Sequence, residues 1–301
     1  MEPRPLLEGR RAIVTGSSRG LGRAYATALA ANGAAVTVNG TTDDAHAVAE
    51  EIRTAGGRAV AHVGTVASFD GAEALVGAAV DAFGGVDVVV NNAGVIAERM
   101  MFNMTEEEFR GPLEVDCFGT FAVSRFAVRD MRPRRWGRII NTADISAQTG
   151  LLGGTNVAAA KGAILGMTYT WGAELARWGI TANAVIPEAY TRMHDPLIRK
   201  AIELAEARGD AHNPSFDERV ARTPKPDEIT ALVVYLASDE SSWLNGQVLT
   251  MTKKHLGLWS HAAQKAALRS TAGGFTVAEV RDRLEAAFAG QVEPVGINEP
   301  W

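Results

Sequence analysis

The chain has 301 residues, of which 47% are hydrophobic and 22% are charged, and its net charge is -5. This balance is typical of a soluble globular protein and excludes a disordered or fibrous one. A weakly acidic chain has no general attraction for polyphosphate, so neither nucleic acid nor an anionic membrane is expected as a partner.

The single cysteine, Cys117, excludes an intrachain disulfide and a cysteine-based zinc cluster, and we expect no metal site. The first residues lack the apolar core of a secretory signal, and there is no run of about 18 apolar residues for a membrane span. We therefore expect a cytoplasmic protein that acts on a small molecule.

Short apolar segments alternate with alanine-rich helical stretches along most of the chain, which is typical of a parallel sheet covered on both faces. The predicted strands are Ala12–Thr15, Ala35–Asn39, Ala59–Val63, Val86–Val90, Arg138–Thr142, Thr181–Ile186 and Gln247–Met251. The predicted helices are Gly22–Ala31, Ala45–Ala55, Ala72–Phe83, Thr120–Met131, Ala158–Trp178 and Asp227–Ala237. The sequence thus predicts an α/β protein with a single Rossmann-type doubly wound fold and a parallel sheet of about seven strands.

Two segments lie outside this alternation. Residues 188–226 are long and polar and follow a strand end, where α/β folds place ligand-covering loops, so we expect a substrate-covering segment there within a domain spanning residues 8–251. Residues 252–301 contain Trp259 and a helical stretch near Val277–Ala289. We expect this C-terminal extension to pack on the domain or on a partner subunit.

A glycine-rich loop connects the first predicted strand to the first helix. Gly16, Gly20 and Gly22 lie in Thr15-Gly16-Ser17-Ser18-Arg19-Gly20-Leu21-Gly22. Missing side chains let the backbone approach a pyrophosphate, whose charge is met by amide groups and the helix N-terminus. The same glycines suit a tight turn without a ligand, but their place between a strand and a helix favours nucleotide binding.

The loop also contains a basic side chain. Arg19 is placed to meet the 2′-phosphate that distinguishes NADP from NAD, whereas the second strand ends in Asn39-Gly40-Thr41-Thr42, without the acidic residue typical of NAD-selective folds. These residues favour NADP(H), with NAD(H) as the alternative. A surface role for Arg19 is the structural alternative.

With these motifs the chain resembles the short-chain dehydrogenases/reductases over residues 8–251. The resemblance rests on the glycine loop, Asn91-Asn92-Ala93-Gly94 after the fourth strand, Lys161 on the long helix, and Pro187 with Thr191 after the sixth strand. It implies a homodimer or homotetramer that associates through the helices at Thr120–Met131 and Ala158–Trp178. The cofactor-binding residues that it implies are Gly16, Ser18, Arg19, Gly20, Leu21, Gly22, Asn92, Ala93, Gly94, Lys161, Pro187 and Thr191.

The chain departs from the family at its catalytic positions. The proton-donating tyrosine, four residues before the lysine, falls on Val157, and the serine that orients the substrate falls on Asp144. The relay asparagine falls on Asp116 and the glycine after the late proline on Glu188. The acidic residue that contacts adenine falls on Thr65.

These substitutions suggest a different chemistry. Asp144, Asp116 and Lys161 converge on the cleft if the chain follows the family fold, and two carboxylates with an amine can move protons without a hydride. The sequence therefore favours an elimination, isomerisation or cyclisation of a polyketide-like or acyl substrate. The alternative is structural: Asp144 caps a turn, Asp116 bonds backbone, and Lys161 only holds ribose.

Two further hypotheses stay open. Tyr190 lies on the ligand-covering segment and could donate the proton, in which case the chain is an NADPH-dependent ketoreductase with a non-standard donor. The chain could also be a catalytically silent partner subunit. In that case the site is a relic and requires no cofactor.

Overall fold

A computed structural model describes residues 5–191, 223–270 and 274–292. Within these ranges, one sheet of eight strands has the order β3-β2-β1-β4-β5-β6-β7-β8, and only β8 runs antiparallel to its neighbour. The strands are β1 (Arg11–Val14), β2 (Ala35–Gly40), β3 (Arg58–Val63), β4 (Val88–Asn91), β5 (Gly137–Thr142), β6 (Ile180–Pro187), β7 (Val248–Met251) and β8 (Leu256–Leu258). The predicted doubly wound parallel sheet is confirmed.

Helices cover both faces of this sheet. They are α1 (Gly20–Ala31), α2 (Asp44–Thr54), α3 (Phe69–Phe83), α4 (Glu106–Pro112), α5 (Gly119–Arg134), α6 (Ser146–Thr149), α7 (Thr155–Leu175), α8 (Ala231–Leu236) and α9 (Val277–Phe288). A π-helical segment, Leu113–Phe118, joins α4 to α5. None of the helices in the described ranges is both long and apolar enough to cross a membrane.

The apolar core is divided by the sheet. On one face, Tyr25 and Leu29 of α1 and Ile52 of α2 pack with residues of α8 against the strands. On the other face, α3 and α5 contribute Leu75 and Met131 to a second cluster. Both faces of β1 and β4 are buried over Ala12–Val14 and Val88–Val90, which explains why these stretches are continuous apolar runs without alternation.

The structure adds elements to those predicted. The three-residue strand β8 pairs with β7 through a turn in which the Thr252 N–H donates to the His255 carbonyl oxygen at 2.9 Å. Helix α4 begins at a capping box in which Thr105 and Glu108 exchange side-chain and backbone hydrogen bonds. Both elements are too short to give a periodic apolar pattern, although the spacing of Thr105 and Glu108 is a readable start signal.

Candidate functional site

The glycine loop between β1 and α1 has a backbone that only glycine allows at three places. Gly16 and Gly20 have φ of 60° and 57°, in the left-handed region. A Cβ on Gly22 would lie 2.3 Å from the Gly16 carbonyl oxygen and 2.5 Å from Nδ2 of Asn92, so helix and loop approach too closely for any side chain.

Asn92 and Ala93, directly after β4, hold this loop by hydrogen bonds. Their backbone N–H groups both donate to Oγ1 of Thr15 at 2.9 Å. Asn92 Nδ2 donates to the carbonyl oxygens of Thr15 at 3.0 Å and Gly16 at 3.2 Å. In the described structure, therefore, these two residues of the predicted cofactor set hold the loop in shape.

The upper side of the loop suits a phosphate group. Helix α1 begins at Gly20 without a side-chain cap, and a Cβ on Gly20 would meet only Cγ2 of Thr191, at 4.0 Å. Arg19 is exposed, and its side chain has no hydrogen-bond or ion-pair partner within the described ranges. Open space, uncapped amides and a free guanidinium together fit the pyrophosphate and adenosine-phosphate part of a dinucleotide.

The remaining predicted loop residues have packing roles. Ser18 lies against Gly40, where a Cβ would come within 2.8 Å of the Ser18 Cβ, and Leu21 packs against the core on the α1 face. Asn39 is buried, accepting from the Gly16 N–H at 3.3 Å and donating to the Gly64 carbonyl oxygen at 3.0 Å. At the end of β2, an amide side chain and not a carboxylate thus lies beside the glycine loop.

Lys161 and Asp116 form a buried ion pair. Lys161 Nζ lies 3.0 Å from Asp116 Oδ2 and donates to the Thr142 carbonyl oxygen at 3.0 Å. Asp116 Oδ1 accepts from the Val95 N–H at 2.9 Å, and only 1% of Asp116 is exposed. Gly94 permits this approach, because a Cβ there would lie 2.8 Å from Asp116 Oδ2. The two charges offset each other, and both carboxylate oxygens of Asp116 have a partner.

Asp144 lies just beyond the end of β5, two residues after the carbonyl that Lys161 contacts. Its Oδ1 accepts from the Ser146 N–H at 2.8 Å, which fixes the carboxylate at the start of α6. Oδ2 has no hydrogen-bond partner within the described ranges, and the residue is half-buried. The hydrogen bond to Oδ1 agrees with the turn-capping alternative, and Oδ2 is left open to a ligand.

Val157 occupies the first turn of α7 and is 6% exposed. The residue before it, Asn156, is fully buried and donates to the carbonyl oxygens of Ala97 at 2.8 Å and Glu108 at 2.6 Å. Asn156 therefore fastens the segment after β4 to α7. Sequence reasoning missed this residue because its partners are 48 and 59 positions away.

Glu188 stands where the family resemblance predicts glycine. It follows Pro187 at the end of β6, and its N–H donates to the Met251 carbonyl oxygen at 2.9 Å. Partial burial raises the pKa of its carboxyl above the usual value, and the nearby charge of His255 opposes that change only in part. The side chain makes no hydrogen bond within the described ranges, so the structure presents a second carboxyl at the edge where Asp144 lies.

The positions of Asp144 and Glu188 follow from the sheet register. Thr142 of β5 pairs with Val185 of β6, and the Ala143 N–H donates to the Val185 carbonyl oxygen at 2.8 Å. Both carboxyl groups therefore leave neighbouring strands, which lie about 4.8 Å apart, at the same carboxyl edge. Ligands of open α/β sheets bind at this edge.

Tyr190 is placed farther along the same segment. Its N–H donates to the Pro224 carbonyl oxygen at 2.8 Å, which ties it to the stretch before α8. The residue is half-buried. The structure thus brings Lys161 and Asp116 into contact and places Asp144 and Glu188 on adjacent strand ends. Tyr190 stays a candidate on the following segment, much of which lies outside the described residues.

Comparisons with known proteins agree with this geometry. The short chain dehydrogenase family matches residues 10–200. The chain is 41% identical to the short-chain reductase protein NovJ of Streptomyces niveus over 244 residues, which are 79% of this chain and 90% of that protein. It is 32% identical over 299 residues to the hydroxyacyl-CoA dehydrogenase ChsB1 of Mycobacterium tuberculosis, covering 95% of this chain and 90% of that protein.

A solved structure is similar over nearly the whole chain. The crystal structure of a short chain dehydrogenase from Mycobacterium avium has a TM-score of 0.82 and 34% sequence identity, covering 96% of this chain and 98% of that one. The chain therefore belongs to the short-chain dehydrogenase/reductase family, whose members typically bind a nicotinamide dinucleotide of the kind that the glycine loop fits.

Proposed function

We propose that this chain is a short-chain dehydrogenase/reductase-fold enzyme that performs acid–base chemistry without net hydride transfer, with Asp144 as the proton-accepting group. The observation that carries the proposal is which of the three charged residues predicted for the cleft have ion-pair or hydrogen-bond partners. Lys161 and Asp116 neutralise each other, whereas Asp144 keeps one oxygen without a partner in the described structure. Asp144 is thus the member of this set that can take a proton from a substrate.

We propose Glu188 as the proton donor that acts with Asp144. A carboxyl whose pKa is raised by burial stays protonated at a higher pH than an ordinary glutamate and can donate a proton. Elimination requires a base and an acid, and we propose Asp144 and Glu188, which follow the neighbouring strands β5 and β6, for these two roles. Asp144 would remove a proton from the carbon beside a carbonyl, and Glu188 would protonate the departing hydroxyl group.

The relatives support a class of substrate for this proposal. The relative ChsB1 is a hydroxyacyl-CoA dehydrogenase, and enzymes of this family act on small molecules. A 3-hydroxyacyl thioester has both a removable proton next to the thioester carbonyl and a hydroxyl group one carbon away. Loss of both as water leaves a 2-enoyl thioester, which balances without an oxidant or a reductant. We therefore propose an acyl or polyketide-like thioester as the substrate.

The bound dinucleotide is proposed to be NADP(H). Arg19 is exposed beside the first turn of α1, and the buried Asn39 offers no negative charge against a 2′-phosphate. When bound, the nicotinamide group supplies or accepts a hydride. The residues that would hold the dinucleotide are those of the glycine loop, with Thr191 above it.

The reaction is tested with 3-hydroxybutyryl-CoA in deuterated water, without added nicotinamide dinucleotide. We expect deuterium at the carbon beside the thioester and accumulation of the enoyl product, both measured by mass spectrometry. Asp144→Asn keeps the acceptor for the Ser146 N–H but not the base, so exchange should fall by about 10²- to 10⁴-fold. Asp81→Asn, an exposed carboxylate on α3, is the charge-matched control and should leave the rate unchanged.

Glu188→Gln separates the two roles in the same assay. It should slow enoyl formation more than deuterium exchange, because only elimination needs the acid. Burial disfavours the ionised carboxylate of Glu188 and so raises its pKa. The folded state is therefore more stable at low pH, where this carboxyl is protonated, and loses stability as pH rises and the carboxyl ionises. Glu188→Gln should therefore be at least as stable as the parent at pH 7. Equal exchange by Asp144→Asn and its parent would remove Asp144 from the mechanism.

Cofactor preference is tested by titration. Arg19→Ala should weaken NADPH binding by about 10- to 100-fold, the loss expected for one charge-assisted contact, and leave NADH binding unchanged. Arg58→Ala is the control, because Arg58 is exposed and lies at the start of β3, the end of that strand away from its carboxyl edge. An equal loss for both dinucleotides would show that Arg19 does not read the 2′-phosphate.

A second candidate is a binding subunit without chemistry of its own. It is favoured by the Lys161–Asp116 pair, because an ammonium group engaged by a buried carboxylate is not available to activate a proton donor. In this case the isolated protein binds the dinucleotide but gives neither deuterium exchange nor NADPH oxidation. Activity would then appear only after mixing with an active relative.

A further inference from the structure

The order of the strands indicates where the base of a bound dinucleotide lies. The pyrophosphate meets the glycine loop between β1 and α1, and in folds of this type the adenosine ribose lies at the end of the second strand. The sheet order β3-β2-β1 places β3 directly beyond β2, at a spacing of about 4.8 Å. We therefore expect the base, which is joined to the ribose, at the carboxyl edge of β3.

His62 is the polar side chain that β3 presents near this edge. It pairs in register with Asn39 of β2, so the two side chains leave the same face of the sheet. The next polar side chain along the chain, Thr65, is engaged, because its Oγ1 accepts from the Ala67 N–H at 3.1 Å. His62 is half-buried, so part of its ring is open to a ligand.

The chain makes room for the His62 ring at Gly64. A Cβ at that position would lie 2.6 Å from Cε1 of His62 and 3.4 Å from both ring nitrogens. The φ of Gly64 is outside the left-handed region, so its backbone conformation does not require glycine. The missing side chain therefore serves the imidazole ring and not a turn.

Asn39 determines which nitrogen of the ring carries the proton. Its Oδ1 accepts from the Gly16 N–H at 3.3 Å and its Nδ2 donates to the Gly64 carbonyl oxygen at 3.0 Å, which sets the orientation of the amide. The same Nδ2 lies 3.4 Å from Nδ1 of His62. Because an amide nitrogen only donates, Nδ1 has to accept, and the proton of a neutral ring is then on Nε2.

The Nε2 edge of the ring is the part that a ligand meets. Burial lowers the pKa of His62, which keeps the ring neutral at pH 7, and its own backbone opposes that change only in part. Nε2 has no hydrogen-bond partner within the described ranges. A half-buried N–H group is stabilised by an acceptor, and the ring nitrogens N3 and N7 of adenine are acceptors.

We propose that His62 binds the adenine base of the dinucleotide by donating its Nε2–H to a ring nitrogen of that base. This inference rests on the proposed binding of a nicotinamide dinucleotide by the glycine loop. It depends neither on the reaction at Asp144 nor on the choice between NADP(H) and NAD(H). Asn39 is then the positioning residue for both ends of the adenosine site, because one amide contacts the Gly16 N–H and the His62 ring.

ADP tests this contact, because it has the base, the ribose and the pyrophosphate without nicotinamide or a 2′-phosphate. His62→Asn places an amide near the position of Nδ1, whereas His62→Gln places one near Nε2, so only the second variant keeps a donor toward the base. By isothermal titration calorimetry we expect His62→Asn to weaken ADP binding about 3- to 10-fold, as for one hydrogen bond, and His62→Gln to stay within about twofold. Inorganic pyrophosphate, which has no base, should bind the parent and both variants equally.

Gly64→Ala tests the space for the ring separately. Its methyl group displaces the His62 ring, so we expect a loss of ADP affinity similar to that of His62→Asn. In a protein that already carries His62→Asn, Gly64→Ala should add little to the loss, because both changes act on the same contact. His261→Asn is the matched control: His261 is exposed, its ring contacts Tyr169 on α7, and its replacement should leave ADP binding unchanged.

Nitrogen-15 NMR of the histidine rings shows the position of the proton directly, with the His62 signals assigned by their absence from the His62→Asn spectrum. We expect the proton on Nε2 before ADP is added and a shift of that signal on binding. Equal ADP affinity of His62→Asn and the parent, or a proton on Nδ1, would overturn the role of His62 and leave the dinucleotide site intact. If the parent binds neither ADP nor NADPH, the proposed dinucleotide site and this inference are both wrong.

Discussion

Changing Val157 to tyrosine, Asp144 to serine and Asp116 to asparagine together is expected to turn this chain into a reductase that oxidises NADPH with a 3-oxoacyl thioester. The triple change supplies a phenol one helical turn before Lys161 and a hydroxyl group at the end of β5. It also removes the carboxylate that engages the Lys161 ammonium, which is then available to lower the pKa of the new phenol. We expect at least a 10²-fold increase in NADPH oxidation, the lower value for a general acid.

The matched control replaces the tyrosine by phenylalanine, with the other two changes kept. Phenylalanine fills the same space without a proton to donate, so it separates the gain of an acid from any effect of repacking beside the buried Val157. The rate is followed by absorbance at the NADPH band after both proteins are shown to bind NADPH equally. Equal rates for the two triple variants would contradict the proposal that this chain lacks only a proton donor for reduction.

The phosphate loop shows what a sequence can predict. Gly16, Gly20 and Gly22 are close together in the chain, and their conformations are set by local backbone geometry and by the start of one helix. Strand β4 is equally readable, because all four of its residues are buried and three of them are valines. Features that are set by neighbouring residues can therefore be predicted from short sequence patterns.

The chemistry of the cleft depends on contacts between distant parts of the chain. The sequence placed Asp116 and Lys161 in one cleft through the family resemblance, but it did not predict that they neutralise each other at 3.0 Å. Nor did it give Glu188 a role, because burial at the end of β6 is a property of the folded sheet. Its position next to Pro187, where glycine is expected, was the only signal.

The C-terminal segment illustrates the same limit. The helical stretch near Val277–Ala289 was predicted from its spacing and α9 occupies nearly the same residues. Periodicity identifies an apolar face, but it does not identify the surface that covers that face. Strand β8 was not predicted, because three residues with exposed Leu256 and Leu258 give no alternation to read.

Removing one partner of the Lys161–Asp116 pair should cause a large loss of stability. Asp116→Ala leaves an ammonium group in a site where Lys161 is 8% exposed, and leaves the Val95 N–H without its acceptor. We expect the free energy of unfolding to fall by about 3–5 kcal/mol, measured by urea denaturation. Asp116→Asn should lose less, because its amide oxygen still accepts from Val95.

The double variant Asp116→Ala with Lys161→Met shows whether the loss comes from the pair. Methionine keeps most of the length of the lysine side chain without its charge, so the buried cation that makes Asp116→Ala costly is absent. The double variant should therefore lose at least about 1.5 kcal/mol less than the sum of the losses of Asp116→Ala and Lys161→Met, a coupling typical of residues in direct contact. If the two losses simply add, the 3.0 Å contact does not stabilise the fold, and Asp116 acts through its bond to Val95 alone. In that case Lys161 is free to serve the cleft, and the non-redox proposal loses the observation on which it rests.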